Sequence, residues 1–128
     1  MIYTNDLIGL EYGWGHRPGD GSGKTDCFQL VCEVRRRMGF GEYGPMFEWV
    51  YSKFNEETLP KKQIAKWLLS NGSRCDEPFA GATVLLPGIS NGALGTYVDN
   101  SDVVFISLGS NVIRVPLANV GYVFSMNR

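Results

Sequence analysis

Hydrophobic positions in the first half of the chain recur at helical spacing, and in the second half they come in short runs broken by turns. The strongest helical pattern runs from Thr25 to Gly39. Cys27, Leu30, Val31, Val34 and Met38 share one face there, the stripe that a core-facing helix needs. Glu33 and Arg35 to Arg37 fall mostly on the other side, as a solvated face. This spacing predicts a helix over Asp26 to Met38. Thr25 or Asp26 can cap its first free amides, and Gly39 suits a left-handed stop after the last turn. Asp6 to Tyr12 predicts a short first helix with Leu7, Ile8 and Leu10 as its apolar contacts. Met46, Phe47, Val50, Tyr51 and Phe54 predict another over Met46 to Phe54, with Pro45 at the permitted start. Ile64, Ala65, Trp67, Leu68 and Leu69 repeat the pattern over Lys61 to Ser70, bounded by Pro60 and by Asn71-Gly72.

The pattern then changes. After a turn at Arg74-Cys75-Asp76-Glu77-Pro78, short strands are predicted at Thr83 to Leu86, Ala93 to Val98, Val103 to Leu108, Val112 to Val115 and Gly121 to Ser125. Pro87-Gly88, Asn91-Gly92, the polar run Asp99 to Asp102, Gly109-Ser110-Asn111 and Pro116 punctuate them. Closely spaced strands with tight turns favour an antiparallel meander. Helices first and strands later make the fold class α+β, with N-terminal helices packed on a C-terminal antiparallel sheet. The chain of 128 residues is read as a single domain, since no linker, repeat or low-complexity segment divides it.

Composition narrows the function classes. The net charge is −1, which gives no electrostatic case for nucleic acid or an anionic membrane. No apolar stretch is long enough to cross a bilayer. Met1 to Asp6 lacks a basic start and an apolar run, so no signal peptide is expected. The cysteines are Cys27, Cys32 and Cys75, an odd number without a C-x-x-C pair, and there is a single histidine, so no metal site or cofactor is expected. All three are read as thiols of a protein made in a reducing compartment. Gly13 to Lys24 is a glycine-rich loop. Its end, Gly23-Lys24-Thr25, looks like part of a phosphate cradle, but the motif's first glycine is missing at Arg17 or Pro18 and no strand is predicted before it.

A thiol at the first turn of a helix sees the positive pole of the helix dipole, which favours the nucleophilic thiolate. Around Cys27 the chain resembles the NlpC-type cell-wall cysteine peptidases, in the branch found in bacteriophage tails. Tyr12-Gly13-Trp14-Gly15 is similar to that family's aromatic-glycine approach. Asp26-Cys27-Phe28-Gln29-Leu30-Val31 looks like its nucleophile motif. Pro78 to Leu86 stands in the place of its Pro-Gly-Asp turn and first strand, and Ala93-Leu94-Gly95-Thr96-Tyr97-Val98 matches the strand written His-Val-Gly-Ile-Tyr in active members. The resemblance implies a papain-like core with helices followed by an antiparallel sheet.

The departures from the family fall on its chemistry. Ala93 occupies the position of the general-base histidine, and the orienting third group falls near Ile106, with no imidazole or carboxylate on that strand. Phe28 and Gln29 replace small residues, and Ala82 replaces the aspartate of the turn. Cysteine catalysis needs a base to make the thiolate and an acid to protonate the leaving amine. A helix dipole contributes under about 2 kcal/mol, little more than one pH unit on a thiol, and cannot protonate a leaving group. His16, on the loop, is the one imidazole that can stand in as a substitute base. The resemblance therefore implies a structural component of a phage tail, at the tip or baseplate, assembled in the host cytoplasm, carried in the virion and bound to other tail proteins. The alternatives are an active peptidoglycan endopeptidase using Cys27, and a module that holds peptidoglycan without cutting it, with Tyr12 and Trp14 as its stacking surface.

Overall fold

A computed structural model describes residues 4–40, 51–52, 74–75, 80–86, 93–98, 102–106, 111–119 and 124–126. The described elements are one helix, α1 (Cys27–Arg37), and eight strands. They are β1 (Glu11–Tyr12), β2 (Lys24–Thr25), β3 (Arg74–Cys75), β4 (Thr83–Leu86), β5 (Ala93–Tyr97), β6 (Asp102–Phe105), β7 (Ile113–Pro116) and β8 (Phe124–Met126), with a 3-10 turn at Leu117–Asn119. The fold is α+β, with α1 packed across β5 and β6. Of the helix expected over Met46 to Phe54, only Tyr51 and Ser52 are described, and both are helical. The helix expected over Lys61 to Ser70 lies outside the described residues, as do Trp49 and Trp67.

The main sheet has six strands in the order β3-β8-β4-β5-β6-β7, every neighbouring pair antiparallel. β4 to β7 form the expected meander. The last strand departs from it. β8 does not follow β7 at the edge but crosses back to lie between β3 and β4, with Arg74 opposite Met126 and Thr83 opposite the same residue on the other side. The strand β3 itself replaces an expected turn. This placement explains the unbroken apolar run at Thr83 to Leu86, because β4 is an interior strand with Thr83 and Val84 both buried.

β6 is apolar at consecutive positions and is buried on both faces. Val104 and Ile106 join Leu7, Leu30, Val34, Val98 and Val112 in the core under α1, while Val103 and Phe105 join Val84 and Leu117 in a second cluster on the other face. Successive residues of a strand point to opposite faces, so one strand supplies both cores.

Two expectations at the N-terminus need correction. Asp6 to Tyr12 is not a helix. Turns run through residues 5–9, and Gly9 takes φ +92°, a left-handed angle that a helix cannot continue through. The backbone there pairs with the sheet instead: Gly9 N–H donates to Val112 O at 3.0 Å and Val112 N–H to Leu10 O at 2.9 Å. Tertiary pairing outweighs a weak local pattern. Leu7 is buried as expected, but Ile8 is exposed. The glycine-rich loop is likewise entered and left by short strands, β1 and β2, which pair in parallel.

α1 ends as its sequence predicts. Gly39 takes φ +84°, Gly39 N–H donates to Arg36 O and Phe40 N–H to Arg35 O at 2.9 Å. That pair of bonds closes the helix and satisfies its last carbonyls. The solvated basic face, however, is only partly correct. Arg36 and Arg37 are surface residues that pair with Glu33, and Arg37 also reaches Asp6 at 2.6 Å. Arg35 is buried. Its Nη1 donates to Gly81 O, and its guanidinium stacks on the Phe40 ring, 5.1 Å from the centroid. Gly81 takes φ +97° and lies so close beneath that ring that a Cβ would collide with it.

Candidate functional site

The start of α1 brings together the residues that the sequence singled out. Asp26, with its backbone extended, is the cap. Its Oδ1 accepts from Gln29 N–H at 2.9 Å, and its Oδ2 accepts from Gly15 N–H at 2.8 Å and from the Tyr51 hydroxyl at 2.7 Å. The carboxylate is completely buried. A buried negative charge at a helix N-terminus is tolerable when amides and a hydroxyl point at it. Burial nonetheless holds the Asp26 carboxyl above the usual carboxylate range, and its hydrogen bonds from Gln29, Tyr51 and Gly15 offset only part of that rise.

Cys27 follows as the first residue of the helix. It is partly buried and packs against the core cluster that contains Leu30 and Ile106. The backbone of Leu94 hydrogen-bonds its thiol, which places the sulfur against the beginning of β5. Ala93 is the residue before Leu94 and the first of β5, opposite Leu86 in the ladder. The Ala93 position is therefore next in the chain to the strand amide that meets the sulfur. Ile106 lies one residue beyond the end of β6 and is fully buried in the core under α1.

The expectation that the dipole favours thiolate is overturned. Burial, and then the adjacent Asp26 charge, push the Cys27 thiol up to about 12. The partial charge of a helix end is outweighed by taking the sulfur out of water and setting a carboxylate beside it.

His16 is held by the loop. Its backbone carbonyl accepts from Asp26 N–H at 3.2 Å, so the chain passes close to the site. Its imidazole is turned to a different partner: Nδ1 lies 3.1 Å from Asp20 Oδ2, and the side chain is 46% exposed. That exposure is what an imidazole ordered by a surface carboxylate would show. Asp20 is in turn held by the Ser22 hydroxyl and by the Ser22 and Arg17 amides.

Trp14 is partly buried. Its ring meets Tyr51 edge-on at 5.1 Å between centroids and Phe28 at 6.3 Å, and Phe28 meets Tyr51 at 6.4 Å. Such edge-to-face geometry is the favoured one for aromatic pairs. Phe28 is buried, and its ring, edge-on to those of Trp14 and Tyr51, fills the space between the loop and Tyr51. Gln29, the next residue, extends its Nε2 to the Tyr51 hydroxyl at 3.4 Å. Tyr12 does not join this cluster. It sits in β1 and packs against the core under α1.

Sequence reading missed the importance of Tyr51, which it placed in a core stripe, and of Asp26 beyond its capping role. Nothing local in a sequence marks a hydroxyl and a carboxylate 25 positions apart as partners. Among the described residues no group of three or more His, Cys, Asp or Glu is placed to hold a metal ion, and no helix is long and apolar enough to cross a membrane. Comparison with protein-family models, with curated proteins and with solved structures found no match.

Proposed function

We propose that this chain is a structural component of a bacteriophage tail, at the tip or baseplate, built on a degenerate papain-like fold of the NlpC type that does not cleave peptide bonds. The tail assignment and the papain-like assignment rest on the resemblance of the Tyr12-to-Gly15, Asp26-to-Val31 and Ala93-to-Val98 stretches. The loss of chemistry rests on one observation. The Cys27 sulfur lies against the Leu94 amide beside the Ala93 position, and its thiol is pushed up to about 12.

A nucleophile in that state is protonated at neutral pH, and alanine can neither take its proton nor return one to a leaving amine. His16 offers no ready substitute, because its imidazole is engaged by Asp20 on the surface. Phe28 and Gln29, filling the ground around Tyr51, are consistent with a scaffold kept for packing.

Two measurements test this reading. Purified protein incubated with cell-wall stem peptides should release no amine, and Cys27→Ala should change nothing. Alkylation mapped to Cys27 at pH 8 should run at least about 100-fold slower than an ordinary exposed thiol and accelerate about tenfold per pH unit toward 12. Cleavage that disappears in Cys27→Ala, or rapid alkylation at neutral pH, overturns the inactive reading and restores the endopeptidase. The assembly half is tested separately: mass spectrometry of purified tails should find the chain in stoichiometric amount, and its absence defeats that half alone.

A further inference from the structure

Residues 4–16 are fastened to the rest of the chain by contacts that reach past the glycine-rich loop. Arg114 Nη1 donates to Thr4 Oγ1 at 3.3 Å, and Arg37 pairs with Asp6 at 2.6 Å. Leu7, 1% exposed, completes the core under α1. Gly9 N–H donates to Val112 O, Val112 N–H to Leu10 O, and the Asn111 side chain to Gly9 O at 3.0 Å. Glu11 N–H and Gly13 N–H donate to Gly23 O and Thr25 O, and Gly15 N–H to Asp26. The segment sits as a bound peptide does, with an anchoring side chain, backbone pairing to a strand edge and polar ties on either side.

Its attachment to its own body runs through the loop. Parallel strands such as β1 and β2 need a connection of about a dozen residues, and residues 13–23 are close to that minimum. Gly19, Gly21 and Gly23 have positive φ, and open space lies where a Cβ would stand on each. Residues 19–24 are exposed, so this stretch stands clear of the body and its path is set from within. Asp20 sets it. Its carboxylate accepts from Arg17 N–H on one side and from the Ser22 N–H and hydroxyl on the other, and it lies 3.1 Å from His16 Nδ1. The two limbs of the loop are drawn together at that one group.

We propose that residues 4–16 are an exchangeable arm whose partner is a second copy of this chain, and that Asp20 is the clasp that keeps the arm on its own body. Exchange preserves the contacts between arm and seat, because the seat on each copy is identical. Only the loop changes, from folded back to extended, and reciprocal exchange closes a symmetric dimer. The seat is shaped for this segment: Leu7 fills the core, Asp6 meets Arg37, and Gly9 at φ +92° lets successive residues share Val112. Opening the loop forfeits the Asp20 bonds, which is what holds exchange in check. A short flexible connection gives the arm an effective concentration of about 1 mM at its own seat, so exchange sets in when copies are gathered to that density. The inference rests on the arm's contacts and does not depend on the tail reading.

Refolding the full chain from urea at about 1 mM, and in parallel at about one-hundredth of that, tests it. Analytical ultracentrifugation should find about half of the concentrated sample dimeric and the dilute sample monomeric. When isotope-labelled and unlabelled copies are refolded together, the dimer should show NOEs from labelled Leu7 methyls to the unlabelled core under α1. Asp20→Ala should lower the concentration at which half of the chain is dimeric by about tenfold. A chain that is monomeric at both concentrations, or a dimer whose Leu7 NOEs stay within one copy, overturns the arm. An Asp20→Ala midpoint equal to or above that of the wild type overturns the clasp. Should Asp20→Ala fail to fold, Ser22→Ala, which removes one of the same bonds, takes its place with a smaller shift in the same direction.

Discussion

The two ends of α1 hold the same helix in opposite ways. At the N-terminus a buried acid, Asp26, is surrounded by donors from other segments. At the C-terminus one base is buried, Arg35, and two others, Arg36 and Arg37, pair with acids at the surface. Both arrangements complement the helix dipole, with negative charge at the start and positive charge at the finish. They differ in what can change. At the N-terminus Asp26 is a carboxyl, raised by its burial, while Cys27 and Tyr51 beside it are pushed up and stay neutral, so that end responds to pH through one acid. Guanidinium groups do not lose their protons in ordinary solution, so the other end is fixed. The helix thus has one chemically adjustable end and one permanently clamped end.

Removing the acid should have the largest effect. Asp26→Ala leaves Gln29 N–H, Gly15 N–H and the Tyr51 hydroxyl without their acceptor and should cost about 3 kcal/mol, read from urea denaturation. A loss below about 0.5 kcal/mol would mean that relief of the buried charge balances the lost bonds, and the two ends would not be comparable anchors. Arg35→Ala comes next, at about 2 kcal/mol, because it strips Gly81 O of its donor and takes away the surface on which Phe40 rests. Arg35→Met should recover part of that loss by refilling the volume, which separates packing from charge. The smallest effect belongs to the surface. A double-mutant cycle on Asp6→Asn and Arg37→Gln should give a coupling of about 0.5 kcal/mol that shrinks as salt is added, since Asp6 is exposed and screened.

How much of this was legible depends on the distance over which the cause acts. α1 was readable to within a residue, because its cap, its stripe and Gly39 are local signals. The interior strands were readable because Pro, Gly and Asn punctuate them. Arg35 was misread for an instructive reason. Charge suggested the solvent side, yet Arg35 follows Phe28 and Val31 at helical spacing, and that row faces inward. The position of β8 and the Asp26–Tyr51 bond were not readable at all, since both join residues far apart in the chain. For the candidate site, the sequence located Cys27, Ala93 and His16 well enough to ask about proton transfer. It gave the wrong direction for the thiol, because a helix dipole can be inferred from local sequence whereas desolvation depends on the whole fold.

The strand order bears on how the chain is made. β3 finds its described neighbour in β8, the last of the described strands in chain order. Until β8 emerges, β3 has no ladder among the described strands and β4 keeps one edge open, so the described sheet is completed by insertion and not by extension. A nascent chain of this topology exposes unpaired backbone from the time β3 is made until β8 follows, and that interval is when chaperones would find it.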